Sequence, residues 1–156
     1  FILLLLLPQY IMINSEEKSK TLIHNSSFSV RFNEVDSLGI VWHGNYITYF
    51  EDGREAFGRH FGISYLDIQK NGFVTPIIKS VCEHKFPLKY GDVCRIETTY
   101  EDTLAAKMIF KFKIFNQDNK LVCIGETIQV FLDNEEELML TFPPFFMEWK
   151  QKIGLL

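Results

Sequence analysis

The residue best placed for chemistry is Asp36, within the run Val30-Arg31-Phe32-Asn33-Glu34-Val35-Asp36-Ser37-Leu38-Gly39-Ile40-Val41-Trp42-His43-Gly44-Asn45-Tyr46. An alternating strand leads into this acid, a glycine turn follows, and a short apolar pair runs into a helix start. That order sets one carboxylate beside a helix N-terminus, where about half a positive charge and several unbonded backbone N–H groups collect. A carboxylate able to attack or to activate water, next to donors able to hold an oxyanion, is the equipment of acyl transfer. An isolated Asp-x-x-Gly is an ordinary turn with Gly supplying positive φ; the length of this run sets it apart. His43 is the second candidate, its ring able to orient Asp36 or a water and its backbone able to meet the oxyanion. Gly39, Val41, Trp42, Asn45 and Tyr46 are the candidate substrate contacts, Asn45 serving also as helix cap and Tyr46 as packing.

The elements that position these residues follow from periodicity. Ser27 to Phe32 alternates and reads as a first strand. Ile47, Phe50, Arg54, Phe57 and Phe61 recur at helical spacing after Asn45, giving one face of a helix over 45–61 that ends at Gly62. Gly53 in its middle costs roughly 1 kcal/mol against Ala, which points to close approach of the helix to a sheet. Arg54 is expected to pair with Glu51 or Glu55. A short helix follows over Ser64 to Lys70. Then the period changes to two: Phe73 to Phe86, Val93 to Asp102, Ala105 to Asn116 and Leu121 to Asp133 read as strands. Tyr90-Gly91-Asp92 and Gln117-Asp118-Asn119-Lys120 read as hairpin turns. Met108, Phe110, Phe112 and Ile114 share one face, and Val122, Ile124, Ile128 and Val130 share another together with Glu126. A buried acid there reads as a partnered pore or interface position. Pro143-Pro144 opens a last helix with a Phe145, Phe146, Trp149, Ile153 stripe. One strand, a long helix and four antiparallel strands make an α+β domain, a curved sheet of about five strands wrapped around a central helix.

Composition removes most other classes. The 156 residues suffice for one domain with a real core, and 15 Phe must fill it and a subunit interface. A net charge of −4 argues against a nucleic-acid surface. Cys82, Cys94 and Cys123 are odd in number and widely spaced, with no metal-ligand spacing, and read as buried thiols of a reducing, cytoplasmic protein. No phosphate-cradling Gly-rich loop and no Ser nucleophile elbow appear, and neither metal nor cofactor is expected. The apolar run Phe1 to Leu7 is too short to span a bilayer and lacks the flanks of a signal peptide. Translation is expected to start at Met12, with residues 1–26 an N-terminal extension and 27–156 the domain.

The long run resembles the 4-hydroxybenzoyl-CoA thioesterase-like branch of the hot-dog acyl-CoA thioesterases. The resemblance rests on Val30-Arg31-Phe32, Glu34, Asp36-Ser37-Leu38-Gly39-Ile40-Val41, Trp42, His43, Asn45-Tyr46, Phe50-Glu51 and Arg54. A weaker signpost is Lys89-Tyr90-Gly91-Asp92, and the likeness extends from about Phe28 to Ile153. Ser37-Leu38 stands where many members carry Pro-Ala or Ala-Gly, which alters the turn's stiffness and removes no functional group. The resemblance implies a hot-dog fold paired into dimers and assembled further into tetramers. It implies hydrolysis of an acyl-CoA or acyl-carrier-protein thioester, coenzyme A being part of the substrate. It makes Asp36 the acting carboxylate and the N–H at His43's place a holder of the thioester carbonyl.

Within the same superfold another branch uses an acid inside the central helix after a His-Gly, and His43-Gly44 with Glu51 and Asp52 imitates that spacing; the Asp-x-x-Gly-x-Val string favours Asp36. Hydratases of this fold place their His in a different motif. A non-catalytic acyl-CoA or acyl-carrier binding protein is the remaining alternative, and it would have no use for an acid at a helix N-terminus. Lys79, Lys85, Lys89, Lys111 and Lys113 are possible contacts for coenzyme A phosphates.

Overall fold

The computed structural model describes residues 21–156; the expected start at Met12 and the apolar run before it lie outside the described residues. The elements are β1 (Leu22–Ser29), α1 (Asn45–Phe61), α2 (Tyr65–Lys70), β2 (Ile77–His84), β3 (Val93–Glu101), β4 (Lys107–Phe115), β5 (Leu121–Val130) and α3 (Pro144–Lys152). The strands form one antiparallel sheet in the order β1-β3-β4-β5-β2, and α1 packs across it, chiefly against β1 and β3. A curved sheet around a central helix is the expected hot-dog arrangement.

Side-chain alternation builds the interface between the two layers. Met108, Phe110, Phe112 and Ile114 of β4 are buried, while Lys111 and Lys113 point outward. On α1 the residues Phe50, Arg54 and Phe57 turn inward as expected, joined by Tyr46, Tyr49, Gly53 and Gly58, whereas Ile47 is exposed. Phe50 stacks on Phe112 with ring centroids 4.7 Å apart. The sheet makes room for it at Gly125, where a Cβ would lie 2.2 Å from the Phe50 ring. α3 closes one end: Phe146 and Trp149 are buried, Trp149 Nε1 donates to the Phe61 carbonyl at 2.7 Å, and buried Lys150 meets Asp102 at 2.8 Å.

Several expectations are corrected. β1 starts at Leu22, not Ser27, and ends at Ser29. His24, Asn25, Ser26 and Ser27 hide the alternation because their polar side chains sit at a sheet edge, and Phe32–Glu34 folds into a 3-10 turn. The strand expected from Phe73 to Phe86 is interrupted. Val74 only bridges Leu132, Pro76 has no N–H to give, and a bulge separates Ile77 from Lys79. Tyr90-Gly91-Asp92 is a turn but no hairpin, since β2 and β3 are not neighbours. Beyond Val122, which is buried as expected, β5 faces the opposite way from its apolar pattern. Cys123, Gly125, Thr127 and Gln129 are buried, while Ile124, Glu126, Ile128 and Val130 are half-exposed on the outer face. Asn45 is the first helical residue, with Gly44 in the cap position.

The close approach read from Gly53 is present. A Cβ there would come within 2.7 Å of Thr98 Oγ1 and 2.8 Å of Ile96 Cδ1. Gly53→Ala should therefore destabilise by about 1–3 kcal/mol through overpacking, against a helix-propensity gain of roughly 1 kcal/mol. The measurement is the urea midpoint. A midpoint equal to or above that of the parent chain would contradict the close approach.

Candidate active site

The loop between β1 and α1 is held by Glu34. Its backbone carbonyl accepts from Trp42 N–H and from Asn45 Nδ2, each at 2.9 Å. Its carboxylate accepts from Arg31 N–H at 2.7 Å and from Tyr49 Oη–H at 2.8 Å. Asn45, expected as a cap, thus acts through its side chain on the loop. Burial and the Glu34 carboxylate push the Tyr49 phenol well above its ordinary pKa, so it stays a donor. From the other side, Val41 N–H bonds Leu88 O at 2.8 Å, and Val35 and Val41 form an isolated bridge.

Within this frame Asp36 is tightly oriented. Its N–H donates to Ile40 O at 2.9 Å, its carbonyl accepts from Gly39 N–H at 3.0 Å, and its Oδ1 accepts from Leu38 N–H at 2.8 Å. Gly39 closes the turn at φ 76°, a conformation other residues adopt only with strain. Oδ2 has no partner among the described residues. At the helix start, Asn45 N–H bonds Trp42 O, and Tyr46 N–H bonds His43 O. The N–H groups of His43 and Gly44 find no acceptor among the described residues. These donors precede the first turn of α1, whose positive end they share.

Asp36, Leu38, Ile40, Val41, His43 and Tyr46 form one wall of a cleft of about 450 Å³, and His84, Lys85, Phe86 and Pro87 form the other. Asp36, His43, Val41 and Tyr46 are thus brought together. Gly39 shapes the turn beside them, and Asn45 braces the loop. Trp42 is half-exposed, lies over Gly44 and tilts against the His43 ring at 4.9 Å, outside the cleft wall. Burial pushes the Tyr46 phenol up to about 12, and its ring meets His84 edge-on at 4.6 Å. Sequence reasoning missed Glu34 and His84 as parts of the site, and named Lys85 only among five lysines able to meet coenzyme A phosphates. A signal existed for Glu34, an acid at the third residue of a turn opened by Arg31. Nothing in the chain's spacing joins His84 and Lys85 to Asp36.

The competing acids are engaged elsewhere. Glu51 is ion-paired with buried Arg54 and accepts from Tyr65 Oη–H at 3.0 Å. Arg54 also donates to Gln129 Oε1 at 3.2 Å and stacks 3.7 Å over the Tyr65 ring, and burial pulls its guanidinium down to about 9. Asp52 lines a separate cavity with Ser27, Arg31 and Ala56, and burial raises its carboxyl against the pull of Arg31. Glu126 pairs with Lys79 at 3.0 Å on the outer sheet face. Lys111, Lys113 and Lys85 likewise face Glu101, Glu97 and Glu83. Lys85 is the one of these that lines the cleft.

Glu34→Ala would leave the Tyr49 hydroxyl and the Arg31 N–H without their acceptor, at a cost of about 1–3 kcal/mol. Thermal denaturation should show the loss, with Glu34→Gln retaining much of it. Equal melting of the parent and Glu34→Ala would mean the loop is held by its backbone contacts alone.

Comparison with known proteins agrees with this fold. The family model described as "Thioesterase-like superfamily" matches residues 30–150. The Bacillus subtilis protein YneP, provisionally named an acyl-CoA thioesterase, is 29% identical over 81% of this chain and 92% of its own. The fold is that of the DHNA-CoA thioesterase of Staphylococcus aureus, with TM-score 0.77, 24% identity, and 85% of this chain and 91% of that one covered. An aspartate-to-asparagine variant of 4-hydroxybenzoyl-CoA thioesterase, solved with 4-hydroxybenzoyl-CoA, shares it at TM-score 0.71 and 21% identity, covering 81% of this chain and 97% of that one. With its family signature spanning the Asp36 loop, the central helix and strands β2 to β5, the chain belongs to the thioesterase-like superfamily.

Proposed function

We propose that this chain hydrolyses acyl-CoA thioesters, with Asp36 as the acting carboxylate and the His43 and Gly44 N–H groups as the oxyanion hole. The observation that carries this reading is that Asp36 and His43 line the same cleft, with the Gly44 N–H next to His43 in the chain. Asp36 Oδ1 is fixed by Leu38 N–H, Oδ2 is left available, and unbonded donors lie at the positive end of α1. Attack by Oδ2 on the thioester carbonyl gives an acyl–aspartyl anhydride and a coenzyme A thiolate, and water then cleaves the anhydride. Activation of water by the same oxygen reaches the same products in one step. Either way negative charge grows on the carbonyl oxygen, where one well-placed N–H is worth ~3 kcal/mol. After a single turnover in ¹⁸O-water, label in Asp36 identifies the anhydride route with water attacking the aspartyl carbonyl, and chemical trapping of the acyl–Asp36 anhydride with borohydride identifies it where water attacks the acyl carbonyl.

The mixed lining of the cleft suits a small, medium-chain or aromatic acyl group. A panel of acyl-CoA and acyl-carrier-protein thioesters, read by chromogenic detection of released thiol, tests the class. The acyl-carrier thioester is the second reading because it presents the same pantetheine arm. Unbridged Cys82, Cys94 and Cys123 suit a cytoplasmic setting. Among the described residues no helix is long and apolar enough to cross a membrane.

The same proposal includes assembly. β2 is an edge strand with little cover; Ile78 and Val81 on it and Val74 just before it are exposed, as is Leu38 across the cleft. A second copy pairing there would cover a bare edge and the open flank of the cleft together. We place the chain in a homodimer, assembling further into a homotetramer. Light scattering should give at least twice 18.3 kDa, with activity lost on dilution to monomer. A fully active monomer would refute this.

Asp36→Asn should preserve folding and lower kcat at least about a hundredfold, because an amide neither attacks nor accepts a proton. His43→Ala should lower it less, since the backbone N–H survives the substitution. Near-normal turnover by Asp36→Asn, with Glu51→Gln or Asp52→Asn inactive, would move the chemistry into the helix.

A further inference from the structure

Behind the cleft, the pairing of β2 with β5 assembles three side chains that the proposed hydrolysis does not use. His84 lies opposite Cys123, and Cys82, two residues earlier on β2, shares its face. Cys82 Sγ is 3.5 Å from His84 Nε2 and 3.2 Å from Cys123 Sγ, and one ligand atom from each residue falls within 4.8 Å of the others. We infer that Cys82, His84 and Cys123 form a binding site for one thiophilic divalent ion of the zinc class.

Donor chemistry and geometry support this. Two thiolates and one imidazole are a soft set that selects zinc over calcium or magnesium. Zn–S and Zn–N bonds of about 2.3 and 2.0–2.1 Å at tetrahedral angles give S···N and S···S edges of about 3.6 and 3.8 Å. The Cys82–His84 edge is already that length, the Cys82–Cys123 edge needs to open by roughly half an ångström, and the Cys123–His84 edge, at most 4.8 Å, needs to close toward about 3.6 Å, by rotation of the His84 and Cys82 side chains. Burial grades across the cluster, Cys123 being fully enclosed, Cys82 half-buried and His84 exposed at the cleft. The fourth coordination position therefore falls on the His84 side, toward solvent, where a water completes the shell. Binding is written Zn²⁺ plus two thiols and an imidazole, giving the bound ion and two protons released to solvent. No oxidant is involved. A dithiol poised only for a disulfide would not need the imidazole held at ligand distance from Cys82.

The ion would clamp the edge strand β2 to β5 immediately beside the cleft, and the inference stands whether or not the chain hydrolyses thioesters. The test uses the whole, fully reduced protein with Co²⁺ as spectroscopic probe and Zn²⁺ as competitor. One equivalent of Co²⁺ should produce a near-ultraviolet thiolate-to-metal charge-transfer band, and one equivalent of Zn²⁺ should abolish it. Zn²⁺ should also raise Tm in a concentration-dependent way. The surface pair His24 and His60, stacked at 4.6 Å, could bind cobalt but would not produce that band. Cys82→Ser, at a half-buried position, should lose the band and weaken Zn²⁺ binding at least tenfold. His84→Ala, at an exposed position, should weaken binding while keeping a thiolate band. Absence of a band in the parent chain, or a band and affinity unchanged in Cys82→Ser, would overturn the site.

Discussion

The structure depends most on the tie that Glu34 makes between the loop after β1 and the start of α1. A loop carrying an acid can take many conformations, and fixing each residue costs about 1–2 kcal/mol of backbone entropy. Glu34 spends both its backbone carbonyl and its carboxylate on this, gathering Trp42, Asn45, Arg31 and Tyr49 around one residue. Because Asn45 and Tyr49 belong to α1, and α1 is pressed on the sheet at Gly53, the position of Asp36 is referred to the core. The opposite side of the loop is anchored through Val41 to Leu88 and through Val30 to Asp92 and Gly91. The acid therefore sits on a loop with the rigidity of the layers it joins.

The same logic explains which parts of the fold and site were legible in the sequence. Local patterns were: the α1 face, the alternation of β4, the close approach at Gly53, and the turn that presents Asp36. Each is written within a few residues of itself. The inward face of β5 was not, because its buried side carries Gly125, Thr127 and Gln129, while the apolar Ile124, Ile128 and Val130 look outward. Hydrophobic alternation identifies a core face only when the core is apolar there. Gly125 has to be small for Phe50, and Gln129 has to be polar for Arg54. The second wall of the cleft was equally hidden. His84 to Pro87 reach Asp36 only through the strand order, a property of long-range pairing that no local pattern records.

That polar stretch of interior needs its own account. Arg54 is enclosed among Glu51, Gln129 and the Tyr65 ring, and Gln129 in turn donates to the Thr75 carbonyl at 2.7 Å. A buried guanidinium is tolerable only when its charge is matched and its donors are used. The network links α1, the start of α2 and β5, so it fixes how the helix is rotated on the sheet, a degree of freedom that apolar packing alone specifies weakly. The Thr98 and Thr127 hydroxyls are buried with no hydrogen-bond partner among the described residues.

What the single chain leaves incomplete lies on one flank. The open cleft, lined by Leu38 and His84, adjoins the bare edge strand β2, which also exposes Ile78 and Val81. An apolar side chain left in water forgoes about 25 cal/mol for each Å² it could have buried, so cover at this flank would be favourable wherever a partner supplies it. An interface here would also lower the dielectric around Asp36 and around the N–H groups of His43 and Gly44, and electrostatic stabilisation strengthens as water is excluded. On that reasoning, completing the sheet and completing the site are one event. The element that would be joined at the edge, β2, is the element that carries His84 and Lys85 into the cleft.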